Sequence, residues 1–189
     1  MKLCWAAGSA CVNGLQLSFE QAGPAGGEPL LLVMGLGGQL IHWPDTLCVR
    51  LVADGFRVIR FDNRDAGLSG SGDRGVEVNL PQAWMRARLG LSSVSNYSLQ
   101  DLADDAVGLL DALGLRRVHM VGASMGGMIS QIVASRHPRR VRSLTSIMSS
   151  TNHPRLPSAR FDVLWRMAGI RPPPRTREQV IRQIGRAHV

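Results

Sequence analysis

Aromatic residues are scarce: one Tyr, four Phe and four Trp amount to 5% of the 189 residues. They are not interleaved with the arginines as base-stacking platforms would be, which removes the usual signature of a nucleic-acid groove. Cysteine is also sparse. Cys4, Cys11 and Cys48 form an odd, scattered set without metal-ligand spacing. They read as ordinary reduced residues of a cytoplasmic protein, with no metal site implied. No apolar run approaches the roughly 18 residues a membrane-spanning helix needs, so no membrane partner is expected. Met1-Lys2-Leu3-Cys4-Trp5 lacks the basic-then-apolar order of a secretory leader.

Acidic residues run short toward the C-terminus. Residues 1–135 hold nine Arg and one Lys against twelve Asp plus Glu, a net −2, whereas residues 136–189 hold twelve Arg against Asp162 and Glu178, a net +10. The overall charge of +8 therefore belongs to the C-terminal segment alone. It reads as a solvated, Arg-rich stretch whose acidic counterweight lies downstream, and no nucleic-acid partner is expected. The final residues, Ile184-Gly185-Arg186-Ala187-His188-Val189, match one reading frame of a widely used sequencing adapter followed by a stop codon. They are expected to be non-native, which disqualifies His188 as a catalytic candidate.

What is present alternates strand-like and helix-like segments. Val12-Asn13-Gly14-Leu15 signals a type I′ hairpin, and residues 15–20 alternate apolar with polar as a half-buried strand does. Residues 30–34 are a short continuous apolar run that breaks into Gly35-Leu36-Gly37-Gly38, the pattern of a strand buried on both faces. Residues 44–54 suit a helix closed by Gly55. Residues 57–62 suit a further strand. Ser98 with Asp101 makes a variant capping box, followed by a helix that turns Leu102, Ala106, Leu109, Leu110 and Leu113 inward and ends at Gly114. Residues 118–121 and 141–148 predict strands on either side of a helix over 126–137. Strands separated by helices at this spacing predict a mostly parallel, doubly wound α/β sheet behind an antiparallel hairpin. Residues 1–150 would form this core and residues 151–183, punctuated by proline, the beginning of a helical cap, with 184–189 the non-native tail.

Gly122-Ala123-Ser124-Met125-Gly126 fits G-x-S-x-G, and it follows a predicted strand and opens a predicted helix. A nucleophile on such a sharp turn needs small residues two before and two after it, hence Gly122 and Gly126. Met125 would then offer its backbone N–H, at the helix head, to a developing oxyanion. The second donor should come from the loop after an earlier strand, and Leu36 N–H is the candidate. A dinucleotide-type loop would need glycine at position 40, which is Leu40.

The combination of Met34-Gly35-Leu36-Gly37, the segment from Phe61-Asp62-Asn63-Arg64 through Asp65-Ala66-Gly67-Leu68-Ser69, and Gly122-Ala123-Ser124-Met125-Gly126-Gly127-Met128 resembles the α/β-hydrolase superfamily. In particular it is similar to bacterial esterases of the aclacinomycin methylesterase type. The resemblance covers about residues 12–183, departing at Met34 and Ala123, where many members carry His. It implies a serine hydrolase acting on a small molecule with an ester-like carbonyl, without cofactor or metal, and a structural rather than acidic-catalytic role for Asp62 and Arg64, paired with backbone or with each other. It also implies a chain order of Ser, acid, His. Ser149-Ser150-Thr151-Asn152 offers no carboxylate, and His42, His119, His137 and His153 lie at other points of the pattern. The triad acid and His are therefore expected to be absent from this chain. Within the same fold, a perhydrolase, a lactonase or a noncatalytic binding protein are the alternatives. A dehalogenase or epoxide hydrolase would need Asp in place of Ser124.

Overall fold

Asn13 and Gly14 both adopt positive φ, at 49° and 78°, the backbone a two-residue I′ turn requires. They join β1 (Ala6–Val12) to β2 (Leu15–Ala22) with Val12 opposite Leu15. The computed structural model describes residues 3–70, 97–151, 153 and 156. The chain divides into two units, Met1–Asn152 and His153–Val189, and the described strands and helices belong to the first. The expected cap pieces and the 184–189 tail lie outside the described residues.

Next come β3 (Glu28–Val33), α1 (Asp45–Ala53), β4 (Phe56–Phe61), α2 (Leu99–Ala112), β5 (Val118–Ala123), α3 (Met125–Arg136) and β6 (Val141–Ile147). The strands form one six-stranded sheet in the order β1-β2-β4-β3-β5-β6. β2 pairs antiparallel with β4, and β4, β3, β5 and β6 run parallel. The expected mixed, mostly parallel sheet is thus present.

Alternation along the strands divides the core in two. Leu31, Val33, Ile59, Phe61, Val118 and Met120 meet Leu102, Ala106, Leu109 and Leu110 of α2 and Ile129 and Val133 of α3. On the other face Leu30, Leu32 and Val58 meet Trp43 and Cys48, with Leu47, Leu51 and Val52 of α1 packed alongside. Each fully buried side chain of this size contributes roughly 1.5–3 kcal/mol relative to exposure. Arg60 interrupts the apolar pattern of β4. Its guanidinium stacks 3.8 Å from the Trp5 ring centre and pairs with Glu20 at 2.6 Å. The consequence for function is positional: β3, β4, β5 and β6 all end at the same edge of the sheet.

Candidate active site

Between the last residue of β5, Ala123, and the first of α3, Met125, stands one residue, Ser124. Its backbone lies at φ 53°, ψ −121°, a conformation that costs a non-glycine residue roughly 1–3 kcal/mol. Both flanks hold it there. Ser124 N–H donates to Ile147 O of β6 at 2.9 Å, while Ser124 O accepts from Gly127 N–H at 2.9 Å and Met128 N–H at 3.3 Å. Ser124 itself is exposed, although Gly122, Gly126 and Gly127 around it are buried.

The surrounding glycines are required by close approach. A Cβ on Gly122 would meet the Gly126 carbonyl and Gly127 N, and one on Gly126 would strike the carbonyl oxygens of Val33 and Met34. These are backbone atoms that cannot swing aside. A Cβ on Gly127 would sit 2.6 Å from Ser149 Cβ, so the helix also starts hard against the chain leaving β6.

The loop after β3 reaches the same point. Gly38 N–H donates to Gly35 O at 3.1 Å, with Gly37 at φ 68° between them. A Cβ on Gly35 would lie 3.0 Å from Ser124 Cβ and 3.5 Å from Ser124 Oγ. Leu36 follows directly and is 74% exposed. Its neighbour Gly35 thus passes close by the serine, and Met125 heads the helix, whose first amides have no intrahelical acceptor.

The segment after β4 is structural. Asp62 is buried, and its carboxylate accepts from Leu40 N–H at 2.7 Å and Leu68 N–H at 2.9 Å. Arg64 pairs not with Asp62 but with Asp105 of α2, donating Nε–H to Oδ2 at 2.6 Å and Nη2–H to Oδ1 at 2.7 Å. Asp105 is fully buried and also accepts from Asn13 Nδ2 at 2.9 Å. That hydrogen bond to Asp105 raises the Arg64 pKa further above the ordinary arginine value. Nearby, burial and then the Asp65 carboxylate push the Tyr97 phenol up to about 12. The sequence reading did not anticipate Asp105 as a partner. Its one signal was an acidic residue on the inward stripe of α2, beside Leu102, Ala106 and Leu109.

His42 Nδ1 accepts from Gln39 N–H at 2.9 Å, His119 Nδ1 lies 2.7 Å from Ser143 Oγ, and His137 caps α3. No three His, Cys, Asp or Glu gather as a metal site among the described residues. The free thiols are Cys4 and Cys11, exposed, and Cys48, buried, where desolvation raises its pKa.

A family profile described as alpha/beta hydrolase fold matches residues 28–184, well over half of the chain. The chain belongs to the α/β-hydrolase fold family. Among its relatives is a protein provisionally named carbamate hydrolase RutD, of Variovorax paradoxus. It is 35% identical over 149 residues, spanning 78% of this chain and 48% of that one. The rhodomycin D methylesterase DauP of Streptomyces sp. strain C5 is 34% identical over 129 residues, spanning 68% and 37%. Among solved α/β-hydrolase-type neighbours, the enol-lactonase of Burkholderia xenovorans LB400 superposes with a TM-score of 0.59. It is 27% identical, and the match covers 72% of this chain and 45% of that one. The chain thus spans less than half the length of these relatives.

Proposed function

We propose that this chain carries the nucleophile of a serine hydrolase that cleaves carboxylic esters of small molecules through an acyl-enzyme. The observation that carries the reading is the backbone of Ser124. An exposed, non-glycine residue sits at φ 53°, ψ −121° between a buried strand and a helix, where glycine would carry no such strain. The geometry makes sense if the hydroxyl must stand clear of the sheet edge beside the helix head.

In this mechanism Ser124 Oγ attacks the ester carbonyl and its proton passes to a histidine base. The carbonyl oxygen becomes an oxyanion held by the N–H groups of Met125 and Leu36, each donor worth roughly 2.7–4 kcal/mol when judged by removal. Collapse expels the alcohol, which takes the proton from the histidine, and water then releases the acid by the reverse sequence. No residue of this chain is assigned as the triad acid or histidine, so the 189-residue chain alone is nearly inactive. The reaction needs no cofactor or metal, and the protein works in the cytoplasm.

The test uses the full-length gene product. A fluorophosphonate probe should label Ser124, and Ser124→Ala should abolish labelling and lower kcat on short activated esters by about 10⁶-fold, the scale for removing a triad nucleophile. Met125→Leu should retain most activity, since only its backbone N–H participates. Turnover by the Ser124→Ala protein at a similar rate would sink the assignment. A second reading draws on the names of the relatives: the same acyl transfer could act on a carbamate or a lactone. Rates on matched ester, carbamate and lactone substrates separate these.

A further inference from the structure

We infer that Asp62 and Asn63 are positioning residues that clamp the loop 35–39 and so fix the Leu36 amide beside Ser124, an inference that rests on the nucleophile reading above. The loop contains Gly35, Gly37 and Gly38, so left alone its backbone would sample many conformations. Its two ends are held from one place. Asn63 Nδ2 donates to Met34 O at 3.0 Å, just before the loop, and Leu40 N–H donates to Asp62 Oδ1 at 2.7 Å, just after it. Consecutive residues at the end of β4 thus grip both ends of a loop that leaves β3.

The clamp is itself anchored on the sheet. Asp62 N–H donates to Ser18 O of β2 at 3.0 Å, and Ser69 Oγ–H donates to Asp62 O at 2.6 Å. The other carboxylate oxygen accepts from Leu68 N–H, and Gly67, at φ 54°, leaves room that a Cβ would take from that carboxylate. A donor held by a strand-borne support keeps its place better than one carried by a free loop.

The Asn63 contact with the loop is made at a cost. It is 4% exposed, and its Oδ1 has no hydrogen-bond partner among the described residues. A buried acceptor left unpaired is a cost, and the compensating bond is the one to the loop. An apolar side chain of similar size would serve the core as well and would leave the loop loose.

Asn63→Leu and Asp62→Asn in the full-length protein test this. A displaced oxyanion donor weakens transition-state binding and leaves ground-state binding alone. The expected result on a 4-nitrophenyl ester is a kcat lowered on the order of 10- to 100-fold, the scale of a misplaced catalytic contact, with KM within about twofold. Affinity for phenylboronic acid, whose adduct with the serine hydroxyl mimics the oxyanion, should fall by the same factor, and the Asn63→Leu melting temperature should hold. A folded variant that keeps kcat and boronate affinity within about twofold, or that loses kcat only with a matching rise in KM, overturns the inference. Should neither variant fold, amide hydrogen exchange on the unmodified protein decides: Leu40 N–H must be protected, and exchange at the rate of an open loop overturns the clamp. If Ser124 is unlabelled and Ser124→Ala keeps its turnover, the nucleophile reading has failed, and the same exchange measurement judges the clamp by itself.

Discussion

Ser124 is where local conformational preference and function pull apart. Its φ of 53° would suit glycine, and the roughly 1–3 kcal/mol this costs a residue with a Cβ is tolerated because β5, β6 and α3 fix both sides. Ser124→Gly should therefore unfold at higher denaturant than Ser124→Ala, by about 1 kcal/mol. This is strain relief less the roughly 0.4–1 kcal/mol of unfolded-chain entropy that glycine adds. Equal midpoints for the two variants in urea titration would show that the turn stores no strain. The neighbouring glycines differ in kind: Gly126 is pressed against the carbonyls that end β3, whereas Gly127 faces side-chain atoms of Ser146 and Ser149.

Among the elements, α2 follows the local rules most closely. Ser98 Oγ accepts from Gln100 N–H at 3.2 Å and Asp101 N–H at 3.4 Å, and Asp101 Oδ2 accepts from Ser98 N–H at 2.6 Å. At the other end Leu115 N–H donates back to Leu110 O at 2.8 Å across Gly114, φ 66°, which closes the helix with a left-handed cap. Ser98→Ala should cost about 1 kcal/mol. The hydrogen bonds from Ser98 backbone N–H, then from its hydroxyl, hold the Asp101 pKa below the ordinary carboxylate value. Its contribution is thus complete above pH ~4 and disappears as pH falls through the lowered folded value. The difference between wild type and Ser98→Ala in urea titrations should therefore shrink below pH ~4, and a gap that widens on acidification would contradict the capping box as its source.

At the scale of the whole molecule, the described residues gather arginines at one end of the parallel strands and exposed apolar side chains at the other. Arg116, Arg117, Arg139 and Arg142 line a groove at the amino ends of β5 and β6, and Arg140 pairs with Asp111 at 2.7 Å. At the carboxyl ends, Leu36 after β3, Leu68 after β4 and Met148 after β6 are exposed at 74%, 85% and 85%. Among the described residues β6 pairs on one side only, with β5, and most of its residues are not buried. An open strand edge and an apolar rim are association surfaces. The 189-residue chain should bind a hydrophobic dye and elute above its monomer size, and the full-length gene product should do neither. A monodisperse 189-residue chain without dye binding would refute this.

The hairpin, the strand pattern, the helix caps and the serine turn were legible in the sequence because each is decided within a few residues. Asn-Gly selects I′ geometry, an apolar run selects a buried strand, and glycines two positions either side of Ser124 leave room for the sharp strand-to-helix turn. The partners of Asp62, Asn63, Arg64 and Asp105 were not legible. Asp62 reaches Leu40, Asn63 reaches Met34 and Arg64 reaches Asp105, separations of 22, 29 and 41 residues. Those distances close only once β4 lies beside β3 and α2 packs over them. Strand order depends on burying two faces at once, a property of the assembled sheet rather than of any segment, and so tertiary structure alone decided which carboxylate holds a loop and which holds an arginine.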